Sequence, residues 1–339
     1  MDEAAGKTLE LIFGRWRSQI LYTGVRLGVF DALAKGPKTA AEAATDLKLD
    51  SGALYRLMRA LSCIGLLSED AKHSFNTTAM GEVLRSDHPH SLRPMTLLEE
   101  GPEHYAAWKH LPALIQSGEQ DGFCREFGQP AFAYAQVNPD YGHVFNDAMT
   151  SFSGLDNMML LEALQNYDFH GISTLCDVGG GQGYALCNLL ALHRDLQGIV
   201  LELQNVIADP STLWAGKLGV ADRCSYVAGD MFERVPAADA YLIKRVLHDW
   251  NDAECHQIMS TMHRAAGNGA RLLIVEQVVP GAETPHFSKL FDVHMMIWGT
   301  GRERTAEQYA ALLSDAGWTY RKTWYPASRM LGVVEAVKS

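Results

Sequence analysis

The amino-acid sequence predicts an α/β protein in which a mostly helical N-terminal part precedes a doubly wound parallel sheet. From Ile172 onward, short runs of β-branched or apolar residues alternate with helical stretches, a pattern typical of such a sheet. The predicted strands are residues 173–178, 199–203, 225–228, 240–243 and 272–275. Before Ile172, caps and turns predict helices and one small hairpin. A chain of 339 residues is long enough for about two domains.

The N-terminal part has the pattern of a winged helix. Apolar residues recur at helical spacing over residues 9–33, which predicts a core helix by default and a helix at a dimer interface as the alternative. Residues 39–42 have the spacing of a capping box and predict a short helix. Residues 50–51 predict the start of a second helix, which ends at Gly65. Residues 66–78 then alternate apolar and polar side chains, as a β-hairpin does.

A winged helix raises the hypothesis of DNA binding, which the charge of the chain opposes. The candidate recognition helix offers only Arg56 and Arg59 as basic residues, and the chain has a formal net charge of -11. Such a chain repels a phosphate backbone unless a basic patch offsets the mean. We therefore expect the winged helix to serve structure or dimerisation, and we expect no nucleic-acid partner.

The segments around the sheet complete the predicted architecture. Residues 80–165 are mostly helical in pattern and are interrupted by prolines. The last two apolar segments, residues 321–325 and 330–337, have no long helix between them, so they predict an antiparallel hairpin at the edge of the sheet.

The sequence gives no signal for export, membrane insertion or metal binding. Residues 1–17 carry acids where a signal peptide has basic residues, and no apolar run approaches the roughly 18 residues of a membrane span. The six cysteines form no C-x-x-C pair, and the 13 histidines form no H-E-x-x-H motif. We therefore expect a cytoplasmic protein with no membrane partner and no metal.

The strongest local motif is the glycine-rich segment at residues 177–183, which follows a predicted strand and opens a helix. Glycines there let the backbone turn sharply and approach a ligand closely. Tyr184 and Leu186 stand where a dinucleotide fingerprint needs its third glycine, which opposes a nicotinamide oxidoreductase, and no Gly-Lys-Ser/Thr follows for a P-loop. The motif D-x-G-x-G-x-G instead resembles the S-adenosylmethionine-binding loop of Rossmann-like methyltransferases.

A titratable side chain follows each of the five predicted parallel strands. These residues are Asp177, Glu202, Asp230, His248 and Glu276. Ligands of an open parallel sheet bind outside the carboxyl ends of its strands, and acids that merely solvate loops would explain only one or two of the five. The Glu202 carboxylate can accept both hydrogen bonds of a ribose diol, and the polarizable Met231 is suited to lie against an adenine face.

A second motif makes the resemblance specific. Residues 244–252, K-R-V-L-H-D-W-N-D, resemble the K-x-x-x-H-D-W motif of the plant and bacterial small-molecule O-methyltransferases. The resemblance covers essentially the whole chain, and it implies that His248 is the catalytic base, flanked by Glu276 and Glu303. The loop motif and the resemblance together assign S-adenosylmethionine to Asp177, Gly179, Gly181, Glu202, Asp230, Met231 and Lys244. One departure is L-E-L-Q at residues 201–204, where the family has F-D-L-P. The glutamate keeps the carboxylate, but without the proline the conformation of the next loop is not predicted.

The resemblance also implies a domain organisation and a partner. It predicts a Rossmann-like S-adenosylmethionine-dependent methyltransferase domain preceded by a mostly helical winged-helix dimerisation domain, and hence a homodimer. The predicted boundaries are residues 1–100 for the dimerisation domain, 101–170 for a helical connector that contributes to the substrate pocket, and 171–339 for the methyltransferase domain. The predicted substrate contacts, which would serve equally well as core residues, are Phe145, Met149, Met295, Met296 and Trp298.

The chemistry of a histidine base favours transfer to oxygen. A phenol has a pKa of about 10 and is a poor nucleophile when protonated, whereas an imidazole titrating near about 6.5 accepts its proton at neutral pH. The sequence therefore predicts methyl transfer to a hydroxyl of a small, aromatic acceptor such as a phenolic or polyketide-type metabolite. Two alternatives stay open: a relative that methylates nitrogen or carbon, and a winged-helix DNA-binding regulator that responds to S-adenosylmethionine.

Overall fold

The computed structural model describes residues 2–339, which form two compact units. The first unit comprises the chain up to Lys109 together with Glu126–Gly154, and the second comprises His110–Arg125 together with Leu155–Ser339. The predicted boundaries at residues 100 and 170 stay predictions.

The chain before the main sheet is mostly helical, as predicted. Its elements in chain order are α1 (Glu3–Ile12), α2 (Gly14–Arg26), α3 (Val29–Ala32), β1 (Lys38–Thr39), α4 (Ala40–Leu47), α5 (Ser51–Cys63), β2 (Leu67–Glu69), β3 (Ser74–Thr77), α6 (Ala79–Glu82), α7 (Arg93–Glu99), α8 (Pro102–Ala107), α9 (Leu111–Ser117), α10 (Gly122–Phe127), α11 (Ala131–Val137) and α12 (Pro139–Ala163). Of the helices in residues 2–339, none is both long and apolar enough to cross a membrane.

The winged-helix prediction is confirmed in the first unit. The hydroxyl of Thr39 accepts a hydrogen bond from the Glu42 backbone N–H, and the Glu42 carboxylate accepts one from the Thr39 N–H, so α4 begins with the expected capping box. Asp50 caps α5 by accepting from the Ala53 N–H at 2.7 Å. Strands β1, β3 and β2 form a small antiparallel sheet in that order, and Phe75 of β3 is fully buried in the core of this unit.

The prediction of a core helix at residues 9–33 is wrong for the first half of the segment and right for the second half, where Val25, Val29 and Phe30 lie in the buried core of the unit. The segment is divided among α1, α2 and α3, and α1 buries no residue. Leu11 is 83% exposed and Trp16 57% exposed. Helical periodicity identifies an apolar face but not what covers it, and in residues 2–339 the part of this face around Ile12 and Trp16 is exposed. The alternative prediction, a helix at an interface between subunits, is the one that this exposure favours.

The second unit contains the main sheet and the helices that cover it. Its further elements are β4 (Thr174–Val178), α13 (Tyr184–Leu192), β5 (Gln197–Glu202), α14 (Trp214–Lys217), β6 (Cys224–Ala228), β7 (Ala240–Lys244), α15 (Asp252–Ala265), β8 (Arg271–Glu276), β9 (Val278–Val279), α16 (Phe287–Trp298), β10 (Arg304–Thr305), α17 (Ala306–Asp315), β11 (Trp318–Trp324) and β12 (Gly332–Lys338). Seven of these strands form one sheet in the order β11-β12-β8-β7-β4-β5-β6.

The central strands are apolar throughout because both faces of the sheet are covered. Successive residues of a strand point to opposite faces. Accordingly, Leu272 and Ile274 of β8 pack into one buried cluster with α15 and α17, while Leu273 and Val275 pack into the other with α13. This is the burial that a doubly wound sheet requires, and it confirms the predicted fold class.

The C-terminal hairpin lies at the sheet edge, as predicted, but its first strand begins earlier. Strand β11 starts at Trp318, not at residue 321, and pairs antiparallel with β12, which pairs with β8. Trp318 is 2% exposed, and its indole N–H donates to the Met259 carbonyl at 3.0 Å. Burial of this large side chain against α15 therefore extends the strand beyond its apolar pattern.

Candidate functional site

The carboxyl ends of five parallel strands meet along one edge of the main sheet. Strand β4 pairs with β5 on one side and with β7 on the other, and β6 and β8 extend the sheet outward. The chain order reverses between β4 and β7, and a reversal of this kind opens a crevice for a ligand. The glycine-rich loop follows β4 and His248 follows β7, so the two motifs lie on either side of this crevice.

The backbone of the glycine-rich loop needs its glycines. Gly179, Gly181 and Gly183 have φ values of +69°, +57° and +84°, in the left-handed region that glycine tolerates. A Cβ atom on Gly180 would lie 2.6 Å from the Asp177 carboxyl carbon, whereas one on Gly181 would meet nothing within 4 Å. The loop is therefore closely packed against Asp177 at Gly180 but unobstructed at Gly181, which leaves room for a ligand against its backbone.

Asp177 supports this loop from below. It lies inside β4, is 1% exposed, and has no hydrogen-bond partner for either carboxylate oxygen within the described residues. Burial raises the pKa of Asp177 to about 7, and the Lys244 ammonium acts against that rise. Lys244, at the end of β7, is half-buried. Asp177 thus packs against Gly180 and does not project from the strand end.

The predicted cofactor residues beyond β4 lie along the same edge. Glu202 ends β5, and its carboxylate accepts hydrogen bonds from the Gly181 N–H at 2.9 Å and from the Leu203 N–H at 2.8 Å. Asp230 is exposed after β6 and accepts from the Phe232 N–H at 2.8 Å, and Met231 is half-buried. The ends of β4 and β5 are therefore joined through the Glu202 carboxylate.

His248 is held by one glutamate at one ring nitrogen. It lies on a short helical turn, Leu247–Asp249, and is 8% exposed. Its Nδ1 is 2.9 Å from Glu303 Oε1. We assign the Nδ1 proton to this hydrogen bond, so in the neutral imidazole the lone pair is on Nε2. A ring in this tautomer can accept a proton at Nε2.

Glu276 and Glu303, which the resemblance treats alike, act differently. Glu303 bonds the ring itself. Glu276, at the end of β8, accepts at Oε1 from the backbone N–H groups of Val246 at 3.1 Å and His248 at 3.4 Å, and its Oε2 is 3.9 Å from His248 Nδ1. Glu276 therefore fixes the backbone of the turn and adds negative charge beside the ring.

The charges around His248 change its expected acidity. Burial lowers the pKa of His248, but Glu276, Asp249 and Glu303 together outweigh burial and raise it to about 10. The Asp249 carboxylate lies 3.6 Å from Nε2. Burial raises the pKa of Glu276 to about 7. The acids around the ring therefore favour the imidazolium form and raise the pKa of His248 above the ordinary imidazole value that was assumed from the sequence.

Gly301 and Arg304 pack against the backbone of the turn that carries His248. A Cβ atom on Gly301 would lie 1.8 Å from the His248 carbonyl oxygen. Arg304 is fully buried, and its guanidinium donates to the carbonyls of Leu247 and Trp250, at 2.9 Å each, and to Asp252 at 2.8 Å. Sequence reasoning gave Arg304 no role, although it directly follows Glu303 in the motif that was used.

A second buried arginine lies at the start of the turn. Arg245 has a φ of +54° and forms two hydrogen bonds with Asp156, at 2.8 and 3.0 Å. The Asp156 side chain is almost fully buried. No sequence signal marked this pair, because residue 156 lies inside a long helical pattern far from any motif.

The glycine-rich loop and the His248 turn are in direct contact. A Cβ atom on Gly179 would lie 2.9 Å from Val246 Cγ2, and the Val246 N–H donates to Glu276. The structure thus brings together the loop of β4 and the acid cluster around His248.

The predicted substrate residues belong to both units. Phe145 lies in the first unit against Phe132 and Tyr141, and Met149 is on the same helix. Met295, Met296 and Trp298 lie on α16 of the second unit, where Met295 is 2% exposed and Trp298 packs against Phe123. A common pocket for these five residues stays a prediction.

Sequence reasoning also missed Phe291, one turn before Met295 on α16. Its ring stacks on His248, with centroids 6.1 Å apart and planes at 16°. A helical pattern does not show which of its apolar residues faces a histidine contributed by another segment.

Comparison with known proteins decides the family. The chain matches the O-methyltransferase domain family over residues 108–319 and the O-methyltransferase dimerisation domain family over residues 9–87. It is 34% identical to a phenazine O-methyltransferase of Lysobacter antibioticus over 329 residues, which cover 97% of this chain and 94% of the relative.

The chain belongs to the O-methyltransferase family.

Two further relatives show the range of this family. The methyltransferase is 29% identical over 324 residues to a phenazine-1-carboxylate N-methyltransferase of Pseudomonas aeruginosa, covering 94% of this chain and 93% of that one. It shares 29% identity and a TM-score of 0.87, over the full length of both chains, with a solved methyltransferase of calicheamicin biosynthesis that has S-adenosylhomocysteine bound. The predicted fold, the enzyme class and the S-adenosylmethionine dependence of this methyltransferase are therefore confirmed by its family, while the roles of individual residues stay predictions.

Proposed function

We propose that this methyltransferase transfers a methyl group from S-adenosylmethionine to a hydroxyl oxygen of a small aromatic acceptor, with His248 as the general base. The observation that carries the proposal is the fixed imidazole: Glu303 engages Nδ1 at 2.9 Å, and Nε2 is left to accept a proton. A base in a fixed orientation contributes because it removes the hydroxyl proton as the oxygen attacks.

The residues along the sheet edge fit the cofactor. A loop that is open above Gly181 accepts a ligand against its backbone, and the Glu202 carboxylate beside it suits a ribose diol. The residues that we assign to the cofactor are Asp177, Gly179, Gly181, Glu202, Asp230, Met231 and Lys244. When bound, S-adenosylmethionine supplies a methyl group made electrophilic by its sulfonium. Asp177 acts through Gly180, because its side chain is buried under the loop.

The acids around His248 support the role of base. Once His248 has accepted the proton of a phenol, the imidazolium lies 2.9 Å from Glu303 and 3.6 Å from Asp249. Negative charge so close stabilises the protonated ring, and therefore lowers the free energy of the state that follows proton transfer. Phe291, stacked on the ring, keeps the plane of the imidazole in place.

We also propose that the protein is a homodimer. The match to the dimerisation domain family covers residues 9–87. The apolar side chains exposed in this region include Leu11, Ile12 and Trp16, at 83%, 63% and 57%. Exposed apolar side chains grouped on neighbouring helices mark a protein interface more often than free surface. Measuring the mass in solution tests this proposal, and a monomer at micromolar concentration contradicts it.

Transfer to nitrogen is the second candidate, and the N-methyltransferase relative favours it. The two candidates differ in their need for a base. A ring nitrogen with a free lone pair attacks without losing a proton, whereas a phenol does not. His248 is therefore essential only for the hydroxyl acceptor.

One experiment tests both candidates. The purified protein is incubated with labelled S-adenosylmethionine, a panel of phenols and hydroxynaphthoic acids, and matched phenazines without a hydroxyl, and products are identified by mass spectrometry. We expect O-methylated products that are lost in His248→Gln. Products methylated on nitrogen and formed equally well by the variant would establish the second candidate instead.

A further inference from the structure

We propose that His248 gives up a proton when a sulfonium cation binds beside the glycine-rich loop, and keeps that proton when the neutral thioether product binds instead. This inference rests on the proposed function. It concerns the ionisation of His248, not the identity of the acceptor.

The inference starts from the negative charge of the acids that surround His248. Three carboxylates surround one buried imidazole: Glu303 lies 2.9 Å and Glu276 3.9 Å from Nδ1, and Asp249 lies 3.6 Å from Nε2. Arg245 offsets part of the charge of Glu276 and Glu303, but two hydrogen bonds join its guanidinium to Asp156. A proton on His248 therefore places one positive charge within 3.9 Å of all three acids.

The other charged groups around the ring do not replace that proton. Groups facing the cluster from the packed elements are Asp156 of α12, Arg245 and Asp249 of the turn, Glu276 of β8, Asp292 of α16, Glu303 and Arg304 at β10, and Tyr309 of α17. Arg304 bonds two backbone carbonyls and Asp252. Asp292 accepts from the Glu303 backbone N–H and adds a further acid.

The loop that is open to the cofactor lies against the same cluster. Gly179 packs on Val246, and Val246 donates its N–H to the Glu276 carboxylate. A cation held by this loop therefore lies near the carboxylates that His248 neutralises. Because both positive charges are stabilised by the same acids, binding of one weakens binding of the other.

The size of the effect follows from Coulomb's law. For a separation of about 6 Å and an effective dielectric constant of about 20, one unit charge would weaken proton binding about a hundredfold. The protein without ligands holds the pKa of His248 at about 10, so a hundredfold weaker proton affinity brings it to about 8. At pH 8 we therefore expect release of about half a proton from His248 on binding of the sulfonium, and none on binding of the thioether.

This coupling also explains how a histidine with a raised pKa can serve as a base. In the cofactor complex, His248 is neutral in a substantial fraction of molecules and can accept the phenol proton. After methyl transfer, the positive charge has moved from the ligand to the imidazole, and the acid cluster still holds one positive charge. The carboxylates thus stabilise the sulfonium before transfer and the imidazolium after it.

Calorimetry tests the inference without turnover. S-adenosylmethionine and S-adenosylhomocysteine are titrated into the dimer at pH 8 in phosphate and in Tris, whose different ionisation enthalpies report the number of protons released. The amino group of the ligand itself titrates near about 8, so the decisive quantity is the difference between the wild type and His248→Gln. His256→Gln, a change at an exposed histidine of α15, is the matched control.

We expect the wild type and His256→Gln to release about half a proton more with the sulfonium than His248→Gln does, and all three to agree with the thioether. Equal proton release by the wild type and His248→Gln with both ligands overturns the inference and leaves the proposed function standing. Failure of the wild type to bind either ligand overturns both. An analogue in which a charged amine replaces the sulfonium must reproduce the proton release, because the inference depends only on charge.

Discussion

Two neighbouring loops of the second unit are stabilised in opposite ways. The loop after β4, residues 179–183, is shaped by its own backbone, with three glycines in the left-handed region and Asp177 packed beneath Gly180. The turn after β7, residues 245–250, is held by side chains that lie 28 to 89 positions away in the sequence. The two loops touch through Gly179 and Val246.

From this difference we expect the loop to bind the cofactor and the turn to carry out proton transfer. A backbone loop can follow the contour of a ligand but carries little charge, whereas the turn presents one imidazole to three carboxylates. Changes in the loop should therefore alter cofactor affinity, and changes around the turn should alter turnover and stability. Four predictions test this division.

Replacing the base should have the largest effect. His248→Gln removes the proton acceptor but leaves the glycine-rich loop untouched, so we expect kcat for a phenol to fall roughly 10²-fold or more. The dissociation constant of S-adenosylhomocysteine should stay within a few-fold of the wild-type value. Steady-state kinetics and calorimetry measure the two quantities, with His256→Gln as the control. An unchanged kcat for an ordinary phenol would remove the assignment of the base.

The next largest effect is expected at Arg304. Arg304→Gln leaves the Leu247 and Trp250 carbonyls without their donors and removes a fully buried cation. We expect the free energy of unfolding to fall by about 3 kcal/mol, measured by denaturant titration. Arg302 is the matched control, because it bonds the same Asp252 but is half-exposed and contacts no carbonyl of the turn. Arg302→Gln should change stability by less than about 0.5 kcal/mol; equal losses in the two variants would contradict the role of Arg304.

The two loops also explain what the sequence could and could not predict. The left-handed positions of the glycine-rich loop are local constraints that only glycine meets at no cost, so the motif at residues 177–183 located the loop correctly. His248 was marked by its motif, but its acidity depends on Glu276 and Glu303, which approach only through the fold. Arg304 and Asp156 were missed for the same reason, because their partners are distant in sequence.

The N-terminal helices also show that a local sequence pattern does not identify the surface against which a helix packs. Periodicity predicted helical structure at residues 9–33 but assigned its apolar face to the core, whereas Leu11 and Trp16 are exposed. An apolar stripe is the same whether it faces the subunit itself or a partner. The burial of Trp318, which extends β11, likewise depends on packing against α15 and is absent from the local pattern.

A smaller effect is expected in the glycine-rich loop. Gly179→Ala adds a Cβ atom 2.9 Å from Val246 Cγ2 at a φ of +69°. We expect the free loop of the variant to relieve a strain of about 1.4 kcal/mol by leaving this conformation, and restoring the conformation on binding corresponds to about tenfold weaker cofactor binding, which calorimetry measures. Gly216→Ala is the control, since its Cβ would meet nothing within 4 Å. If Gly179→Ala lowered kcat at saturating cofactor but left affinity unchanged, the division between the two loops would fail.

The fourth effect is expected in the pH dependence of stability. The pKa of His248 is raised from 6.5 to about 10 in the folded protein, so the folded state binds more protons than the unfolded state between these values. The stabilisation is therefore complete below about pH 6.5 and is lost as pH rises through about 10. One proton changes the free energy of unfolding by at most about 1.4 kcal/mol per pH unit.

The range from pH 8 to 10 isolates this effect, because burial raises the pKa of Glu276 only to about 7. Denaturant titrations of the protein without ligands should show stability falling more steeply with pH in the wild type than in His248→Gln. The titrations of cysteine, tyrosine and lysine side chains in the unfolded state are common to both proteins and cancel in the difference. Parallel curves would mean that His248 is already neutral before any ligand binds, and the acid cluster would then act only on the geometry of the turn.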